Sequence, residues 1–95
     1  MINEVILVGR IVELPPLTCN SNELYCQMKI AVRKSAMEPD REIILPISIW
    51  KGLATIANEK YQLGTTVGIR GRLDVVDDFV EIIAERVSFI SAEEH

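Results

Sequence analysis

Apolar and polar residues alternate along most of this chain, and the breaks in that alternation mark its elements. Asn3 to Val12 reads as a first strand, with Val5, Leu7, Gly9 and Ile11 on one side and Ile6, Val8, Arg10 and Val12 on the other. Pro15 and Pro16 stop regular pairing, and Asn20 to Glu23 supplies turn residues. From Leu24 to Arg33 the pattern is clean: Leu24, Cys26, Met28, Ile30 and Val32 face inward, and Tyr25, Gln27, Lys29, Ala31 and Arg33 face outward. Lys34 to Glu42 reads as a charged loop containing a proline. A third strand follows, with Ile43, Leu45, Ile47 and Ile49 on its apolar face and Ile44, Pro46, Ser48 and Trp50 on the other.

Past Trp50 the period changes from two to about 3.6. Leu53, Ile56, Ala57 and Tyr61 predict about three turns of amphipathic helix over 51–61, closed by Gly64. Alternation resumes with Val67, Ile69, Gly71 and Leu73 opposite Thr66, Gly68, Arg70, Arg72 and Asp74. Asp77 and Asp78 predict a tight turn into a last strand over 79–90, whose parity slips near Arg86 and so predicts a bulge. Three strands, one helix and two strands is the connectivity of an all-β, five-stranded Greek-key barrel, the oligonucleotide/oligosaccharide-binding (OB) fold, with its helix between strands 3 and 4. Gly9, Gly68 and Gly71 stand where strands of a small barrel bend.

A length of 95 residues fits one domain over 1–95, and the apolar runs are too short to span a membrane as a helix. The opening MINEVILVGRIVEL reads as strand, without the features of a signal peptide, which predicts a cytoplasmic protein. Cys19 and Cys26 flank a turn with no ligand set for a metal nearby, so free thiols are expected. A net charge of −4 argues against a polyanionic partner, but the charge is uneven. Residues 1–72 hold nine basic and seven acidic side chains, whereas 73–95 hold Arg86 against seven acidic ones.

The residues also resemble a family, the bacterial single-stranded DNA-binding proteins. INEVILVGRI is similar to that family's first strand, and ILPISIWKGLATIANEKYQLGTTVGIRGRL to its strand, aromatic, Leu-Ala helix, glycine turn and following strand. The resemblance covers nearly the whole chain in order. It implies non-sequence-specific binding to single-stranded DNA in replication, recombination or repair, and a homo-oligomer, dimer or tetramer. Trp50 falls at a position the family fills with a base-stacking aromatic, whereas the second stacking position is Ile44 here. The family's long basic and aromatic hairpin is reduced to DVVDDF, the usual Lys before the turn glycine is Leu63, and the sequence given ends at SAEEH without the family's acidic-hydrophobic tip.

Single-strand binders combine flat rings with a positive groove. Trp50 is the first ring and Tyr25 a second; Lys29, Arg33, Arg70 and Arg72 lie on outward parities, with Lys34 and Lys51 beside them. The plainer alternative is that Trp50 covers the strand-helix corner and the charges keep a barrel soluble. Phe79 is expected to pack in its hairpin. Ile6, Val8 and Val12 form an apolar outer face suited to subunit contact. Asp74, Asp77 and Asp78 read as a solvated turn rather than a cation site, no cofactor is implied, and the one histidine, His95, and the absence of a nucleophile with a base partner argue against an enzyme. A second function class stays open: a protein-interaction or primosomal accessory barrel with weak or no DNA binding, which the acidic hairpin favours and which would contact replication proteins.

Overall fold

The structure is a computed structural model describing residues 1–14, 18–20 and 23–92, with 18–20, 23 and 58 described by their backbone alone. Its elements are β1 (Val5–Glu13), β2 (Thr18–Asn20), β3 (Glu23–Ser35), β4 (Glu38–Trp50), α1 (Lys51–Lys60), β5 (Thr66–Val76) and β6 (Phe79–Ser91). The sheet runs β1-β5-β6-β4-β3-β2 and closes through β1 on β3. Apart from the three-residue β2, which pairs with the start of β3, five strands make the barrel, and α1 lies between its third and fourth strands. This is the OB topology the alternation predicts.

Ile11, Met28, Ile30, Ile47, Ile49, Val67 and Ile69 fill the barrel, each at or near zero exposure. They are the inward parities of β1, β3, β4 and β5, so burial of one apolar face fixes the register of the ladders. The helix sets Ala54 and Ala57 against this core, with Leu53 and Tyr61 at its margin, while Ile56 points out. Small residues let the helix lie close over the end of the barrel. Gly64 turns the chain back at a φ of 89°, and its N–H donates to the Ile11 carbonyl at 2.8 Å.

Closure depends on close backbone approach. A Cβ at Gly9 would sit 2.7 Å from the Ala31 carbonyl, and one at Gly71 would run into the Ile83 carbonyl. Gly71 borders the bulge that the parity slip predicts: β6 pairs Arg86 with Arg70 and Ala84 with Gly71, leaving Glu85 as the extra residue. The seam between β4 and β6 is short and parallel, Ile47 to Ile82 and Ser48 to Ile83.

Two hairpins differ from expectation. Residues 34–42, expected as a charged loop, are mostly strand: β3 and β4 run on past the barrel to a turn at Ala36 and Met37. Beyond the core there is no face to bury, so both faces are exposed and the alternation that signals a strand disappears. Residues Asp77 and Asp78 form the expected tight turn, with φ of 51° and 67°, the two positive values of a type I′ hairpin. Phe79, expected to pack there, pairs with Val76 yet is exposed, because this ribbon also projects beyond the barrel. The side chain of Cys19 lies outside the description; Cys26 is a buried free thiol, its pKa raised by that burial.

Candidate nucleic-acid interface

The antiparallel ladder of β3 on β4 sets opposed residues on a common face: Tyr25 with Trp50, Gln27 with Ser48, Lys29 with Pro46, Ala31 with Ile44 and Arg33 with Glu42. Two members of this outer face are buried, for one reason. Ser48 lies where β6 joins β4, and Ala31 where β1 joins β3, so each small side chain has strands on both sides. Larger neighbours stand out around them.

Tyr25 and Trp50 end this face. Their ring centroids are 4.5 Å apart at 42°, and both rings are half-buried. Trp50 is the last residue of β4 and the N-cap of α1, with extended backbone at φ −119°, and Lys51 turns the chain at φ 58°. The strand therefore holds Trp50 in register with Tyr25 while the helix departs. An aromatic pair partly open to water offers a base a flat apolar surface.

The cations differ in how committed they are. Lys29 reaches Glu13 at 3.4 Å, and Arg72 lies between Asp74 at 3.8 Å and Glu85 at 3.5 Å. Arg33 and Lys34, on the exposed part of the β3–β4 hairpin, make no ion pair among the described residues. Arg10 pairs with Glu42 at 3.2 Å, tying the base of that hairpin to β1 beside an open cleft lined by Val8, Arg10, Ala31, Arg33, Pro39 and Glu42.

Of the residues singled out in the sequence, Trp50, Tyr25, Lys29 and Arg33 share the β3–β4 ladder face, Lys34 follows at the bulge between Arg33 and Ser35, and Lys51 adjoins Trp50 at the helix start. Arg72 lies across β6, opposite Ile83, which itself pairs with Ser48. Arg70 is elsewhere: it pairs with Ile6 on one side and Arg86 on the other, because β5 lies between β1 and β6. Ile6 and Val8 are exposed on that same outer surface, whereas Val12, the extra residue of the bulge in β1, is half-buried beside Leu14 and Leu63. Gln27, half-buried, lies on the same ladder face between Tyr25 and Lys29. Asp74 accepts from the Val75 N–H at 2.7 Å, and no cluster of metal-ligating residues occurs among the described residues.

A closed five-stranded barrel with an aromatic pair at the end of a partly cationic strand face defines an OB-fold protein of the nucleic-acid-binding kind. The model of the single-strand binding protein family matches residues 2–90, and the chain belongs to that family. It is accordingly a single-stranded DNA-binding protein. No curated protein matches the sequence. Among solved structures it is similar to the SSB domain of a Synechococcus sp. protein (23% identity over 93% of this chain and 96% of that one, TM-score 0.77). It is also similar to the second single-stranded DNA-binding protein of Mycobacterium smegmatis (18%, 98% and 98%, 0.74) and to the dimeric N-terminal domain of PriB from Thermoanaerobacter tencongensis (22%, 93% and 96%, 0.73). At these identities the likeness is one of fold.

Proposed function

We propose that this chain holds single strands without sequence preference by stacking bases on Trp50 and Tyr25 while Arg33, Lys34, Lys29 and Lys51 neutralise the adjoining phosphates. The observation that carries the reading is the Tyr25–Trp50 ring pair, half open at the end of a ladder that continues into Arg33 and Lys34, which make no ion pair among the described residues. Each stacked base contributes about 1–3 kcal/mol and tolerates any base, since every base has a π-face. Arg72, already between two carboxylates, contributes little, and Arg70 lies off this path. The protein acts without catalysis, in the cytoplasm, in replication, recombination or repair.

A homo-oligomer fits the same reading. β1 pairs with β5 along Val5–Arg10 but meets β3 only from Arg10 onward, so one edge of Val5–Gly9 has no strand partner among the described residues. Exposed Ile6 and Val8 flank that edge. A second copy would cover both the open edge and the apolar side chains.

Titration of Trp50 fluorescence with a poly-pyrimidine oligonucleotide at about 20 and about 300 mM salt tests the reading, across the range in which phosphate contacts weaken. The chain has one tryptophan, so the signal has one source. Quenching that weakens with salt is expected. An unchanged signal together with no gel shift at low salt would instead support the protein-contact reading, for which the acidic hairpin around Asp77 and Asp78 is the motive.

A further inference from the structure

The carboxylate of Glu42 stands between two arginines. Arg10 on β1 donates to its Oε1 at 3.2 Å, and Arg33 on β3 is its cross-strand neighbour in the β3–β4 ladder. One small residue lets the three side chains meet. Ala31 pairs with Arg10 on one side and with Ile44 on the other, two residues before Arg33, so Arg10, Arg33 and Glu42 share the outer face that carries Tyr25 and Trp50. Since β3 lies between β1 and β4, the ion pair spans it, passing over the buried methyl group of Ala31.

Beside this triad there is room for a ligand. From Arg10 toward the start of β1, β1 and β3 part, and an open cleft of about 560 Å³ lies there, lined among others by Val8, Arg10, Arg33, Glu42 and Thr66. Thr66 is the β5 partner of Arg10, so the cleft stands over the face of the sheet, whereas a strand added beside Val5–Gly9 would lie in its plane. Two guanidinium groups against one carboxylate leave the cleft with a net positive charge. The Arg10 and Glu42 side chains are 46% and 47% exposed, and an ion pair so open to water contributes little to stability. A second anion can therefore displace it, and the planar forks of arginine suit a phosphate.

We propose that this cleft takes a backbone phosphate of the bound single strand, that Arg10 and Arg33 hold it, and that Glu42 is a resident anion which the phosphate displaces. In the free chain Glu42 screens the two arginines from each other; in the complex the phosphate takes over that task and Glu42 turns to water. The Arg33 rung lies roughly 26 Å along β3 from Tyr25, a length within the several nucleotides that one OB barrel covers. A strand already stacked on the rings presents its next phosphates to the cleft at high effective concentration, an advantage that a free phosphate ion lacks. The inference rests on the proposed strand path. It adds to that path Arg10, which its ion pair would otherwise exclude, and a carboxylate that holds affinity down and makes binding reversible.

The test compares two exposed ion pairs of one hairpin. Glu42 pairs with Arg10 in the cleft, whereas Glu38 pairs with Arg41 at 3.3 Å outside it. Affinity for a poly-thymidine strand of about 12 nucleotides is read by Trp50 quenching and gel shift over a series of salt concentrations. Glu42→Gln should bind about 5-fold more tightly at low salt, the effect of removing one unit charge about 4 Å from a phosphate in water. Arg10→Gln should bind about 5-fold more weakly and lower the slope of log affinity against log salt by about 0.7. Glu38→Gln and Arg41→Gln make the same charge changes and should each alter affinity less than about 2-fold, being screened from the strand. A gain of affinity does not arise from a damaged fold, so Glu42→Gln decides the matter even if Arg10→Gln loses stability. A wild-type chain that shows neither quenching nor a gel shift at low salt overturns the strand path and the cleft with it. If the wild type binds, the cleft alone is overturned by Glu42→Gln without a gain, by a folded Arg10→Gln with the wild-type slope, or by changes at Glu38 and Arg41 as large as those at Glu42 and Arg10.

Discussion

The side-chain amide of Asn3 holds Leu73 by both of its backbone hydrogen bonds, donating from Nδ2 to the Leu73 carbonyl at 2.8 Å and accepting at Oδ1 from the Leu73 N–H at 2.9 Å. The β1–β5 ladder pairs Val5 with Gly71, so two residues further in this register Asn3 would stand opposite Leu73. An amide side chain here takes the place of a further strand residue. It ends the ladder with its last pair of bonds made, at the point where the β5–β6 ribbon leaves the barrel. Asn3→Ala should lower stability by about 1 kcal/mol, since the exposed Leu73 groups turn to water, and should speed hydrogen exchange at the Leu73 amide.

Tyr25 and Trp50 should act as a unit on DNA. Trp50→Ala is expected to weaken binding to a poly-pyrimidine strand by roughly 10- to 100-fold, the equivalent of about 1–3 kcal/mol for one stacked base. Tyr25→Ala should lose affinity too, but the double variant should lose less than the two effects combined, because either single change already breaks the ring pair. A double-mutant cycle that proves additive would separate the rings.

The ion pairs rank the cations. Removing Arg33, which has no ion pair among the described residues, should lower the slope of log affinity against log salt by about 0.7. Removing Arg72, engaged by Asp74 and Glu85, should change that slope less. Binding isotherms for Arg33→Ala and Arg72→Ala at four or five salt concentrations decide it.

Two glycines should respond with opposite sign. Gly71→Ala drives a methyl group against the Ile83 carbonyl and should cost about 1–3 kcal/mol. Gly52, in the first turn of α1, has open space where its Cβ would be, so Gly52→Ala should stabilise by about 0.5 kcal/mol, chiefly by restricting the unfolded chain. Urea midpoints of the two variants test both signs.

Burial raises the pKa of Cys26, since the thiolate is disfavoured in the barrel. The folded chain therefore holds this proton at pH values where the unfolded chain releases it. The contribution to stability is complete below the ordinary thiol range and declines as pH rises through the raised pKa. Cys26→Ala should reduce the alkaline fall in stability, at the cost of a small cavity, as seen in urea unfolding from pH 7 to pH 10.

Much of the barrel is written in its alternation. The clean parity of Leu24 to Arg33, the break into helix after Trp50 and the slip near Arg86 each correspond to an observed strand, helix or bulge. What parity does not contain is which strand lies beside which. Arg70 and Lys29 have the same outward sense in sequence, yet β5 pairs with β1 and β6 while β3 pairs with β1 and β4, so they stand on different parts of the surface. The meeting of Tyr25 with Trp50 depends likewise on a cross-strand register between residues far apart in sequence. The β3–β4 extension was illegible for another reason: outside the core, residues such as Glu38, Asp40 and Arg41 follow solvent rather than a buried face.

The short parallel seam also bears on how the barrel comes together. Ile47 and Ser48 meet Ile82 and Ile83 across two rungs only, and these partners lie in separate long hairpins joined through α1. Each hairpin can zip from its own turn at little loop-closure cost, whereas the seam must wait for the chain between them to be enclosed. Closure is then the late step in folding, and the same two rungs are where the cylinder would first part under strain, opening into a curled sheet in which β1 still joins the two hairpins.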